Sequence, residues 1–142
     1  MKILFVLLLQ IVLLELACTS QQNICKKNLK NTLAKEWTYD NKQRVYSTNI
    51  SFLKGIDSTY KDCLIGKDTS FISKMFGTDY LVVETMQNGL RLEFPKKMKY
   101  TLYNPCDLTL PHTNCYFYVF YISNFGKVGK YGVESVGGST YE

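Results

Sequence analysis

The chain has one histidine, no Walker or Gly-x-Gly-x-x-Gly sequence, no internal repeat, no low-complexity tract and no lysine tract. Each absence removes a class of function. A hydrolase of the Ser-His-acid or Cys-His type would have to use His112, held between Pro111 and Thr113 in a segment that reads as a loop between two strands. An exposed loop histidine is the reading there. Phosphate cradles need backbone N–H groups from a glycine-rich turn that opens a helix, and Gly137-Gly138 has no helix after it. Cys106, His112 and Cys115 offer three metal-ligating side chains, but their spacing matches no familiar zinc motif and a fourth ligand is missing. The acids Asp57, Asp62, Asp68, Asp79, Glu84, Glu93 and Glu134 form no motif with metal-ligand spacing either. The expectation is therefore a non-enzyme with no cofactor and no metal. The +5 formal charge is spread over scattered lysines, the pattern of a solvated surface, so nucleic acid is not the expected partner. Beyond residue 17 no apolar run approaches the roughly 20 residues of a membrane-spanning helix.

What the chain does have begins at its N-terminus. Lys2 precedes an apolar block from Ile3 to Leu14 broken only by Gln10, and Leu16-Ala17-Cys18 follows. The block is too short to span a bilayer and has the layout of an export signal. The segment resembles a bacterial lipoprotein signal, in which a Leu-x-small-Cys box is cut before a cysteine whose thiol takes a diacylglycerol. Leu16 and Ala17 fit that box, while Glu15 stands where the pattern has Leu. The other reading is an ordinary secretory signal cut after Ser20. The lipoprotein reading gives a signal peptide over residues 1–17, lipidation at Cys18, a polar tether over 18–22, one domain over 23–135 and a loose tail over 136–142.

The other cysteines, Cys25, Cys63, Cys106 and Cys115, form an even set in a compartment that permits disulfides, and four cysteines allow three connectivities. Cys106 and Cys115 flank one loop, so their pairing is favoured, with Cys25 to Cys63 as the second pair.

Composition is that of a globular domain, with 46% hydrophobic residues and 20% charged. The 11 tyrosines and 8 phenylalanines lie mainly in the second half and favour strands there. Ile24, Leu29, Leu33 and Trp37 make a helical stripe over 23–37, and Thr38 to Ser51 is polar and irregular, read as a loop. A short helical piece is expected around Phe52 to Tyr60. Asp68 or Thr69 can cap a two-turn helix whose apolar face is Phe71, Ile72, Met75 and Phe76, with Gly77 ending it. Tyr80–Thr85 and Leu90–Phe94 read as a hairpin across Asn88-Gly89. Met98, Tyr100 and Leu102 alternate with polar residues in a half-buried strand. Cys115 to Ile122 is apolar or aromatic on both faces and belongs inside the sheet. Lys127 to Ser135 is a final edge strand. The order predicts an α+β fold, two or three N-terminal helices packed on one face of an antiparallel sheet of four or five strands. Tyr116, Tyr118 and Phe120 share a strand face, and if that face is left uncovered it is a candidate partner-binding patch.

Gly66-Lys67 opening a capped helix that closes on Ile72, Phe76 and Gly77 is similar to the Gly-Lys-x-x-x-x-Val-x-x-x-Leu-Gly pattern of the SmpA/OmlA (BamE-like) lipoproteins and related β-lactamase-inhibitor-like folds. Asp79 replaces the proline that usually follows that pattern. The resemblance spans residues 60 to 130. It implies two helices on an antiparallel sheet, anchored by lipid, and a protein-binding module in outer-membrane assembly or maintenance, facing the periplasm, whose partner is another envelope protein. A soluble secreted inhibitor or immunity-type protein that uses the same sheet surface is the alternative.

Overall fold

The structure, a computed structural model, describes residues 22–85, 92–102 and 114–137. Helix α1 covers residues 22–36 and buries Leu29 and Leu33. A small hairpin follows, β1 (Thr38–Asp40) and β2 (Val45–Ser47), with Tyr39 opposite Tyr46. Then come α2 (Ile50–Thr59), the single turn α3 (Lys61–Leu64) and α4 (Thr69–Phe76). The main sheet is an antiparallel meander of β3 (Leu81–Glu84), β4 (Lys96–Thr101), β5 (Asn114–Ile122) and β6 (Val128–Gly137), in the spatial order β3-β4-β5-β6.

The helices form where local chemistry permits. Asn49 accepts the Ser51 N–H at the start of α2, and Asp68 accepts the Phe71 N–H at 2.8 Å at the start of α4. At the far end of α4 the freed carbonyls are taken by aromatic side chains: Trp37 Nε1–H donates to the Phe76 carbonyl at 2.8 Å and the Tyr100 hydroxyl to the Gly77 carbonyl at 3.1 Å. Gly77 sits at φ 106°, and a Cβ there would run into the Tyr46 ring and hydroxyl, so the chain needs glycine for both conformation and space.

One face of the sheet carries the core. Met98 lies opposite Phe120 and Tyr100 opposite Tyr118. These four meet Leu29, Leu53, Ile56, Leu64, Ile72 and Phe76 from all four helical segments. Each such side chain contributes roughly 1.5–3 kcal/mol by leaving water. Asp57 fixes α2 to the sheet: its carboxylate accepts the Tyr118 hydroxyl at 2.6 Å, and its backbone carbonyl accepts that of Tyr131 at 3.2 Å. The α+β layering expected from the sequence is present, with β5 interior.

Several local expectations change. Residues 38–47 are a hairpin, not a loop. Asp40 accepts the N–H groups of Lys42 and Gln43, and Arg44 takes φ 55° to close the turn. Trp37 stacks on Tyr46 at 4.6 Å, which brings this polar stretch onto the core. Ile24, placed on the apolar stripe of α1, is exposed. The strand that pairs with β3 is β4, with Leu81 opposite Lys99 and Glu84 opposite Lys96. Leu92 to Phe94 are not in a strand, and the Asn88-Gly89 turn lies outside the described residues. Finally, β6 continues through Val136 and Gly137 opposite Cys115 and Asn114, two residues into the stretch expected to be loose tail.

Candidate functional site

The face of the sheet turned away from the helices is built from the alternate residues of each strand. Lys97 and Lys99 on β4, Phe117, Val119 and Tyr121 on β5, and Lys130 and Glu134 on β6 share it, because the register sets Lys97 opposite Tyr121, Tyr121 opposite Lys130 and Phe117 opposite Glu134. Glu134 is the hub. It accepts Lys97 Nζ at 2.8 Å, Lys99 Nζ at 3.2 Å and the Tyr121 hydroxyl. Lysine cations also lie over aromatic rings: Lys97 over Tyr121 at 4.7 Å, Lys99 over Phe117 at 4.8 Å and Lys130 over Tyr121 at 4.2 Å. Phe94 folds over the same face, edge-on to Tyr121 and in the space a Gly129 side chain would need.

Within this cluster Glu134 and Tyr121 shift in opposite directions. Desolvation pushes the Glu134 carboxyl up, but hydrogen bonds from Lys97, Tyr121 and Lys99 and the Lys97 charge outweigh it and bring it down to about 2. Burial, then the hydrogen bond to Glu134 and its charge, pushes the Tyr121 phenol up to about 12. Both values lie far from neutrality, so neither group trades protons near pH 7. With three ammonium groups against one carboxylate, the cluster is an electropositive surface.

Beside this cluster runs β3. Leu81, Val82 and Val83 are 56%, 59% and 39% exposed. Leu81 and Val83 point to the lysine side and Val82 to the other. Among the described residues no strand pairs with the free side of β3, and its aliphatic run holds no lysine, proline or bulge of the kind that protects natural edges. The opposite edge differs. β6 carries Lys130 and Glu134, has a register shift at its start, and gives up the Val128 backbone to Gly66 and Lys67.

A groove of about 730 Å³ lies between the β1–β2 hairpin and the end of α4, with Trp37, Tyr39, Arg44, Lys74 and Asp79 among its walls. Asp79 accepts the Tyr39 hydroxyl and sits 3.4 Å from the Arg44 guanidinium. The Tyr39 hydrogen bond and the Arg44 cation hold its carboxyl below the usual range. Asp79 thus ties the hairpin to the segment that follows α4.

The residues singled out from sequence fall into three groups. Tyr118 and Phe120 are wholly buried against the helices, and Tyr116 packs on the same core. The face of these three is therefore the one the helices cover, not an exposed patch, because the register puts them in line with the buried Met98 and Tyr100. Cys25 and Cys63 are joined as a disulfide with their Cα atoms 6.0 Å apart, which fastens α1 to α3. Cys115 is buried and disulfide-bonded. Cys18, Cys106 and His112 lie outside the described residues. Sequence reading missed Glu134 as a hub and β3 as an exposed edge. The signal for the first was the Lys97-x-Lys99 alternation, whose partner needs the register; exposure of β3 needs the strand order. No family model, curated protein or solved structure matches the chain.

Proposed function

We propose that this chain is a non-enzymatic, exported lipoprotein whose domain binds another envelope protein by adding an extended segment of that partner to the β3 edge. The observation that carries the reading is the run of three exposed aliphatic residues, Leu81 to Val83, on a sheet edge that no strand pairs with among the described residues. An edge of this kind supplies backbone hydrogen bonds for affinity and alternate side-chain contacts for selectivity. The neighbouring lysine-rich face supports a partner segment whose side chains on that side include a carboxylate, by charge complementarity. The Lys2-to-Cys18 segment supports export and lipidation, and the order of helices followed by an antiparallel meander supports the likeness to SmpA/OmlA lipoproteins. Outer-membrane assembly or maintenance, on the periplasmic side, is the setting that likeness implies.

The test is a photo-cross-linking residue placed at Val82 in cells, compared with one at Ser58, exposed on α2. A discrete adduct from Val82 that is absent from Ser58 is expected. Equal or no cross-linking at the two positions defeats the edge reading. Fatty-acid labelling of the parent chain and of Cys18→Ala decides the anchor: an unlabelled parent chain removes it.

A further inference from the structure

The turn between β5 and β6 is closed by Ser123 to Lys127, and at its tip Phe125 is 89% exposed, the most solvent-exposed large apolar side chain among the described residues. A lone exposed leucine or valine is ordinary; a phenylalanine held out on a hydrogen-bonded turn is not needed for that turn, which any polar residue could fill. The position of the turn gives it meaning. The Val128 N–H donates to the Lys67 carbonyl and the Gly66 N–H to the Val128 carbonyl, both at 2.8 Å, so the turn is stitched to the segment that leads into α4. Lys67 in turn lines a cavity of about 410 Å³ together with Gln22, Cys25, Lys26 and Phe71. The aromatic turn and the start of α1 therefore share one end of the molecule.

Gln22 lies four positions after Cys18, a reach of at most about 14 Å even when fully extended. The Cys25–Cys63 disulfide keeps the first turns of α1 from swinging away from the domain. A lipid on Cys18 would consequently bring this end, and no other, to the bilayer.

We infer that the Phe125 turn is a membrane-contact element: the ring enters the bilayer interface while Lys26, Lys67 and Lys127 meet the headgroups, so that the domain stands on the membrane in one orientation. This rests on the lipoprotein reading above. The charges at this end are balanced: Lys127 lies 3.8 Å from Asp68, Lys96 pairs with Glu84, Asp62 lies with Lys26 and Lys67, and Glu93 follows Leu92, whose carbonyl accepts Asn124 of the turn, so the exposed ring and its closeness to the anchor carry the contact, not a net charge. A protruding aromatic ring beside lysines suits the interface, where apolar bodies enter and ammonium groups stay in water.

The test uses the full acylated protein in phosphatidylcholine–phosphatidylglycerol vesicles, some made with brominated acyl chains. Phe125→Trp should show a blue shift and loss of emission with the brominated lipid, beyond any change in Trp37 of the parent chain. Ser135→Trp, about 23 Å further along β6 at roughly 3.3 Å per residue, should show neither. Mass spectrometry of the Cys18 peptide is read in parallel. An acylated protein in which Phe125→Trp stays unquenched, or is quenched no more than Ser135→Trp, overturns the inference and leaves the anchor standing. An unacylated Cys18 overturns the anchor and the inference with it.

Discussion

Replacing Glu134 with glutamine keeps the shape of the side chain and an acceptor for Tyr121 but removes the one negative charge between Lys97 and Lys99. The carboxyl lies at about 2 in the folded chain against an ordinary value of 4.5. A depression of that size corresponds to roughly 3 kcal/mol at full strength, since each pKa unit is worth about 1.4 kcal/mol. The Glu134 side chain keeps 22% of its exposure, so solvent screening reduces the contribution to about 1–2 kcal/mol. The sign follows from the direction of the shift. A lowered folded pKa stabilises the fold above the unfolded value, and the contribution disappears as pH falls from 4.5 toward about 2.

Urea unfolding of the parent chain and of Glu134→Gln, followed by the emission of Trp37, measures the difference directly. At neutral pH the variant should be less stable by about 1–2 kcal/mol, and the gap should close as the solution approaches the folded pKa. Other carboxyls with lowered values, Asp68 and Asp79, titrate in both chains and cancel in the difference. Added salt should narrow the neutral-pH gap in part, because the cluster is half-buried. A gap that stays constant from neutral pH down to the acid end would show that glutamine disturbs packing and that the charge of Glu134 contributes nothing, which would refute the argument.

Two further outcomes follow from the geometry. Removing the Cys25–Cys63 disulfide as a double alanine variant frees a crosslink over a separation of 38 residues and should lower stability by about 4 kcal/mol in the chain-entropy treatment, read as a drop in denaturant midpoint against the oxidised parent. Two glycine-to-alanine changes should have opposite signs: Gly77→Ala meets the Tyr46 ring at a positive φ and should cost about 2 kcal/mol or more, whereas Gly55→Ala, in open space within α2, should stabilise by about 0.5–1 kcal/mol, both read from thermal unfolding.

Residues whose partners are near in sequence were legible before the fold was known. The Asp68 cap, the apolar face of α4 and the Gly77 stop all lie within ten residues and obey helix chemistry alone. Strand β4 could be read for the same reason, since alternation is a local property, and β5 from its unbroken apolar and aromatic run. What failed depended on contacts distant in sequence. Tyr39 and Tyr46 sit in a polar stretch with no strand pattern, and they form a hairpin because Trp37, Tyr100 and Asp79 receive them. Asn88-Gly89 is a strong hairpin signal, yet the strand paired with β3 begins only at Lys96, after Pro95. Which face of β5 the helices cover could not be read from β5 alone, because both of its faces are aromatic. β4 held the missing information: Met98, Tyr100 and Leu102 could be read as its buried face, and one register, Met98 opposite Phe120, transfers that burial to Tyr118 and Phe120.

The two proposed surfaces constrain each other through the direction of the strands. Ile122 ends β5 at the Phe125 turn, and it lies opposite Lys96, which in turn lies opposite Glu84 at the end of β3. The end of the sheet that carries the turn is thus the Glu84 end of β3, and Leu81 is the residue furthest from it. If Phe125 stands in the bilayer interface, the strands rise from the membrane and the β3 edge faces sideways, with Val83 nearer the lipid than Leu81. A partner segment added to that edge would then run along the membrane normal, the direction in which a polypeptide emerges from a membrane. The separate tests of the edge and the turn therefore share one geometric consequence: a cross-linker at Val83 should reach partner residues closer to the bilayer than those reached from Leu81, and the reverse order would be incompatible with holding both surfaces at once.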